Sequence, residues 1–153
     1  METGTVDYEA LKAGLQQAIP FNNHIGLEVA EVGDGRGVVL LPDSEALHNH
    51  VGSQHAGALF SAGEAASGAA FVGAFAERMA GITPLARSAR IEYLKLARGP
   101  IMATGRLSED KAALLERLDA DGKVEFQVDV ELADQDGVDV ARMSVDWHVR
   151  KNA

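Results

Sequence analysis

The densest run of reactive side chains spans residues 48–64, His-Asn-His-Val-Gly-Ser-Gln-His-Ala-Gly-Ala-Leu-Phe-Ser-Ala-Gly-Glu. Polar residues crowd its first half, small apolar residues follow, and one carboxylate, Glu64, comes last. A helix that starts near Ala56 leaves the first-turn N–H groups, around Ala56 and Gly57, without intrahelical acceptors at the positive end of the helix dipole. Such donors stabilise a carbonyl oxygen that is becoming negative. Glu64 follows about two and a half turns later. Apolar surroundings raise the pKa of a carboxyl group, and a carboxylate in such a place suits a general base or a nucleophile.

The same residues have quieter uses. Glu64 can be a buried structural carboxylate tied to a backbone N–H or an Arg. Asn49 can make an Asx-type turn, His55 can bond backbone at a helix start, and Gly57 can serve close packing. His48, His50 and His55 match no helix-borne zinc spacing, so no metal is expected. The chain has no Cys, which excludes a disulfide scaffold, a Cys-ligated metal and a Cys nucleophile.

The elements that must hold these residues follow from periodicity. Tyr8, Leu11, Leu15, Ala18 and Ile19 share one face at helical spacing, and Pro20 ends the pattern. Leu27–Val32 and Gly37–Leu41 flank Gly33-Asp34-Gly35-Arg36, a hairpin turn. Pro42 to Gln54 reads as a loop. A long Ala/Gly helix comes next and is expected to end near Met79 to Pro84. Residues 56–76 carry one charge, Glu64, but are mostly Ala, Gly and Ser. These gain little from lipid, so the segment is expected inside a soluble protein. Arg87 to Leu96 is strand-like, as are Ile101 to Leu107, Val124 to Leu132 and Ala141 to Val149, with a short helical or bulged insert at Asp110 to Leu118. Clean alternation in the last two predicts antiparallel strands with one buried and one wet face. Four successive strands exclude a doubly wound parallel sheet. The expected α+β architecture is an antiparallel sheet of five to six strands curled around one long central helix, with 1–153 as a single domain.

The motif Asn49-x-x-Gly52-x-x-His55-x-Gly57, followed by Glu64, resembles the signature of the hotdog-fold acyl-CoA thioesterases, with the phenylacetyl-CoA thioesterase type as the nearest pattern. The family's usual His-Gly-Gly is His55-Ala56-Gly57 here. A group of bacterial thioesterase-like proteins with His-Ala-Gly-Ala-Leu-Phe resembles it more closely still. The resemblance implies the hotdog fold and hydrolysis of an acyl-CoA thioester. It also implies Glu64 as base or nucleophile, Ala56 and Gly57 N–H as the oxyanion site, Asn49 placing water or substrate, and His55 supporting the loop or the thioester. No cofactor is implied beyond the coenzyme A of the substrate.

Five cations against Glu92 alone leave +4 over residues 87–106, in a chain of net −9. Arg87, Arg90 and Arg98 are therefore candidates for the phosphates of coenzyme A, although solvated strand faces explain them too. The overall negative charge argues against nucleic acid and anionic membrane as partners. Residues 1–9 show no basic or apolar leader pattern, and a cytoplasmic location is expected. Two further activities share the fold. A β-hydroxyacyl thioester dehydratase would pair His50 with Glu64, although its Pro-rich connection is missing, and a non-catalytic acyl-CoA-binding module would need neither. Finally, Ala56 N–H and the Glu64 Cα are about 12 Å apart along one helix. One helix serves both roles poorly, so a homodimer with shared sites is expected, and it could pair again into a tetramer.

Overall fold

The computed structural model describes residues 5–153. Residues 1–4, part of the segment read as lacking a leader, lie outside that range. Six strands form one sheet: β1 (Glu28–Gly33), β2 (Arg36–Leu41), β3 (Ile82–Tyr93), β4 (Ile101–Leu107), β5 (Lys123–Ala133) and β6 (Asp139–Lys151). Their order across the sheet is β1-β2-β4-β5-β6-β3, with every neighbouring pair antiparallel. Four helices accompany them: α1 (Tyr8–Ala18), α2 (Pro20–His24), α3 (Ala56–Ala74) and α4 (Lys111–Asp121). The sheet curls around α3, which is the hotdog architecture.

The alternation in β5 is complete. Val124, Phe126, Val128, Val130 and Leu132 are buried toward α3, while Glu125, Gln127, Asp129 and Glu131 face water. In β6, Ala141, Met143, Val145, Trp147 and Val149 complete the same inner wall. An aromatic cluster fills one end of the core. The Phe71 ring lies 4.9 Å from Phe75 and 5.4 Å from Trp147, and Phe75 lies 5.2 Å from Phe126, measured between centroids. Phe71, Phe75 and Trp147 are therefore core residues.

Glycine lets the helix and sheet touch almost backbone to backbone. A Cβ on Gly37 of β2 would come within 2.5 Å of the Ala69 Cβ. One on Gly105 of β4 would come within 2.7 Å of the Ala66 carbonyl oxygen. One on Gly73 of α3 would overlap the Gly33 carbonyl at the end of β1. Each helical Gly costs about 1 kcal/mol relative to Ala. Close dispersion contact along this seam offsets that cost.

Three boundaries differ from the sequence expectation. The helix α3 stops at Ala74, because Phe75 turns into the core and a 3-10 segment, Ala76–Gly81, replaces the last expected turns. The strand β3 starts earlier, at Ile82, and ends at Tyr93. Beyond it both Leu94 and Lys95 aim their N–H groups at the Val140 carbonyl, which breaks the ladder register. Pro20 ends α1 as expected but also opens α2 at its first position, where a missing N–H is harmless. Tyr8, Leu11 and Leu15 of α1 cover Val29, Val32 and Ala69. Gln16 clamps the start of β1 by donating to the Leu27 carbonyl and accepting from the Val29 N–H. Among the described residues no helix is long and apolar enough to cross a membrane.

Candidate active site at the start of the central helix

The sheet does not seal α3 completely. Gly57, Phe60, Ser61, Glu64 and Gly68 fall at i, i+3, i+4, i+7 and i+11, and all are exposed or half-buried while the rest of the helix beyond its first residue is largely buried. Glu64 sits in the middle of this bare stripe. Its carboxylate has no hydrogen-bond or ion-pair partner among the described residues. Burial pushes its pKa up from the ordinary glutamate value. A carboxyl group that is partly desolvated and unpaired is a candidate for chemistry. The turn beneath it is anchored to the sheet. The buried Ser67 hydroxyl donates to the Glu64 carbonyl at 2.7 Å and accepts from the Trp147 indole N–H at 3.1 Å.

At the helix start, His55 is the N-cap. Its Nδ1 accepts the Gly57 N–H at 2.8 Å. A neutral imidazole that accepts at Nδ1 carries its proton on Nε2, so the ring presents a donor outward. The N–H groups of Ala58 and Leu59 both go to the His55 carbonyl. Of the first-turn donors, Ala56 N–H is the one left without an acceptor among the described residues. The expected oxyanion pair therefore needs correction: Ala56 N–H is free, whereas Gly57 N–H is consumed by the cap. Tyr93, at the end of β3, donates its hydroxyl to the Ala56 carbonyl at 3.1 Å.

Asn49 is turned into its own loop. Its Oδ1 accepts the N–H groups of Val51 and Ser53, and its Nδ2 donates to the Ser53 hydroxyl. In this arrangement Oδ1 and one Nδ2 hydrogen brace residues 49–53, which leaves the second Nδ2 hydrogen as the one polar group of the side chain not taken up by the loop. Gln54 continues the brace. It is buried, and its Nε2 donates to the Pro42 and Gly99 carbonyls while its N–H donates to the Ala97 carbonyl. The three histidines of the loop do not converge. His48 bonds Asp43 at 2.6 Å, His55 caps α3, and His50 is exposed. Beside the helix start, a cleft of about 210 Å³ is lined by Phe21, Ile25, Leu47, His48, His55 and Ser61, among others.

The cations divide. A bulge between Ala86 and Ser88 shifts the parity of β3. Arg87 reaches Glu125, which His148 also contacts, and Arg90 lies 3.6 Å from Glu92. Glu125, Ser144 and Asp146 belong to the water-facing side of β5 and β6, so Arg87 and Arg90 stand on the sheet face opposite α3 and Glu64. Arg98 differs. It is exposed, has no ion pair among the described residues, and stands between the two residues whose carbonyls hold Gln54. Sequence reasoning did not identify Tyr93 or the Gln54 anchor. An aromatic at a strand end is a weak local signal, and the contact spans 37 positions.

Residues 8–149 match the family described as a domain of unknown function, DUF4442, and the chain belongs to that family. No curated protein sequence matches it. A solved structure from Pseudomonas aeruginosa, a protein of unknown function described as a probable thioesterase, is 26% identical with a TM-score of 0.83, covering 94% of this chain and 95% of that one. The PaaI protein of the Escherichia coli phenylacetic acid degradation operon is 18% identical with a TM-score of 0.72, covering 94% and 93%. A hypothetical thioesterase from Streptococcus pneumoniae is 20% identical with a TM-score of 0.65, covering 83% and 92%. These likenesses place the chain in the hotdog thioesterase-like superfamily.

Proposed function

We propose that this DUF4442 protein is an acyl-CoA thioesterase whose working groups are Glu64 and the Ala56 N–H. The observation that carries the reading is the unpaired, half-buried Glu64 on the one stripe of α3 that the sheet leaves bare. The hotdog superfamily and the probable-thioesterase description of the Pseudomonas aeruginosa protein support it.

In this reading the thioester carbonyl oxygen accepts from Ala56 N–H. Glu64 takes a proton from a water whose oxygen bonds the carbonyl carbon. The negative charge that develops on the carbonyl oxygen is met by a donor that is already fixed and free. Collapse of the tetrahedral species breaks the C–S bond. The departing thiolate recovers the proton, directly or through water, giving a carboxylic acid and free thiol. Direct attack by Glu64 on the carbonyl is the other route open to the same carboxylate. His55 holds the cap and offers Nε2–H beside the donor. Asn49 and Gln54 act on the loop that delivers it. Arg98 is the candidate for a coenzyme A phosphate.

The site is shared across a homodimer in this proposal. Glu64 and Ala56 N–H are eight residues apart, about 12 Å along the axis, and an antiparallel second helix would bring a partner's carboxylate beside this donor. Support comes from β3, a twelve-residue edge strand with one side unpaired and most residues exposed. An edge of that length invites pairing with another chain.

The test is thiol release from a panel of acyl-CoAs by the wild type and by Glu64→Gln. Turnover that disappears in a folded variant supports the reading, and a wild type that binds but never releases thiol overturns it.

A further inference from the structure

We propose that Tyr93 is a positioning residue for this site: its hydroxyl and the His55 imidazole together lock the peptide group adjoining the oxyanion donor. The proposal rests on the thioesterase reading above. The peptide group between Ala56 and Gly57 is held at both ends. Its N–H donates to His55 Nδ1 at 2.8 Å, and its carbonyl accepts from Tyr93 at 3.1 Å. The free Ala56 N–H hangs from the same Cα. The donor belongs to the preceding peptide group, whose His55 carbonyl accepts from Ala58 and Leu59 N–H, so with both groups held it has little angular freedom left, and angular freedom is what weakens an oxyanion contact.

Tyr93 is itself well anchored. It pairs with Ala141 of β6, and the two residues after it both donate to the Val140 carbonyl. Further on, the Ala97 and Gly99 carbonyls take the N–H and Nε2 of Gln54, one residue before the cap. Residues 93–99 thus grip the helix start at three points, and Tyr93 makes the one nearest the donor. A tyrosine that merely stitched β3 to α3 would affect stability and leave turnover per folded molecule alone.

The experiment uses Tyr93→Phe, which keeps the ring and removes the hydroxyl. For the acyl-CoA the wild type hydrolyses best, kcat is expected to fall about ten- to a hundredfold while KM stays within about twofold. The Ala56 backbone amide resonance is expected to shift in the free protein. Should the Phe variant be unstable, difluorotyrosine at position 93 keeps ring and hydroxyl but ionises at lower pH, and kcat should then decline with rising pH where the wild type does not. Unchanged kcat in Tyr93→Phe, a loss confined to thermal stability or KM, or a difluorotyrosine enzyme with the wild-type pH profile each overturns the proposal while hydrolysis by the wild type upholds the thioesterase reading. A wild type that releases no thiol from any acyl-CoA overturns both.

Discussion

The two ends of the central helix are held by different physics. The C-terminal end is locked by shape. Gly73 rides on the Gly33 carbonyl, and Phe71 and Phe75 stack with Phe126 and Trp147. Among the described residues no polar side chain takes part beyond Ser67 and its bond to Trp147. The N-terminal end is held by directional bonds from His55, Tyr93 and Gln54, and its neighbours stay open to water. Dispersion packing tolerates no insertion but aims nothing. Hydrogen bonds aim groups precisely and leave space around them. Anchored by shape at one end, the helix leaves the Ala56 N–H free at the other and Glu64 half-buried midway between them.

The largest expected effect comes from removing the carboxylate. Glu64→Gln should lower kcat by about 10²- to 10⁴-fold with the fold intact, measured by thiol release and circular dichroism. The same residue sets a pH signature. Because its pKa is raised in the folded state, the carboxylate form that the proposed mechanism uses accumulates only above the ordinary glutamate range, and activity should climb through that window. Stability should move the opposite way. The folded state binds the proton more tightly than the unfolded state, so Glu64's favourable contribution is full below the ordinary glutamate pKa and is lost as pH rises through the raised value. Glu64→Gln should therefore be more stable than the wild type at neutral pH, with the gap closing in acid. Equal stability at both pH values would show that the bare stripe does not strain the carboxylate.

Next in size is the shape-locked end. Gly73→Ala places a methyl against a backbone carbonyl that cannot swing away, and should destabilise by at least about 1–3 kcal/mol in chemical denaturation. Activity per folded molecule should be preserved. A large loss of kcat would erase the division between the two ends.

His55→Ala removes the cap at the polar end and should cost about 1 kcal/mol of stability, read as a lowered Tm. The smallest effect belongs to the rim. Arg98→Ala should raise KM a few-fold, as expected for about 1 kcal/mol at an exposed charge, and the difference should shrink in high salt. No change in KM at low salt would remove Arg98 from the site.

Legibility in the sequence followed the range of the interaction. The β5 and β6 strands were readable because each repeats a two-residue period over ten or so positions, and that pattern is local. Glu64 stood out as a candidate because a lone charge in an apolar helix contradicts its surroundings. The hairpin turn was readable from Asp34-Gly35, where Gly35 takes a φ of +77°. The outward turn of Arg87 was not readable, since one bulge residue reverses strand parity. Nor was the loss of Gly57 N–H, which depends on the rotamer of the preceding imidazole. The seats at Gly37 and Gly105 read as ordinary strand residues until α3 is laid across them.

The strand order has a consequence for the order in which the molecule assembles. Strand β3 is the next strand after α3 in the chain, yet its sheet neighbour is β6, the last of the six strands to emerge. During synthesis β3 has no ladder to join until residues 139–151 emerge. The helix and the β1–β2 hairpin can collapse together early, because all three have emerged before β3. Tyr93 reaches its place only when β6 closes the sheet. A chain stalled before β6 therefore holds the central helix without the strand that seats Tyr93 against its start.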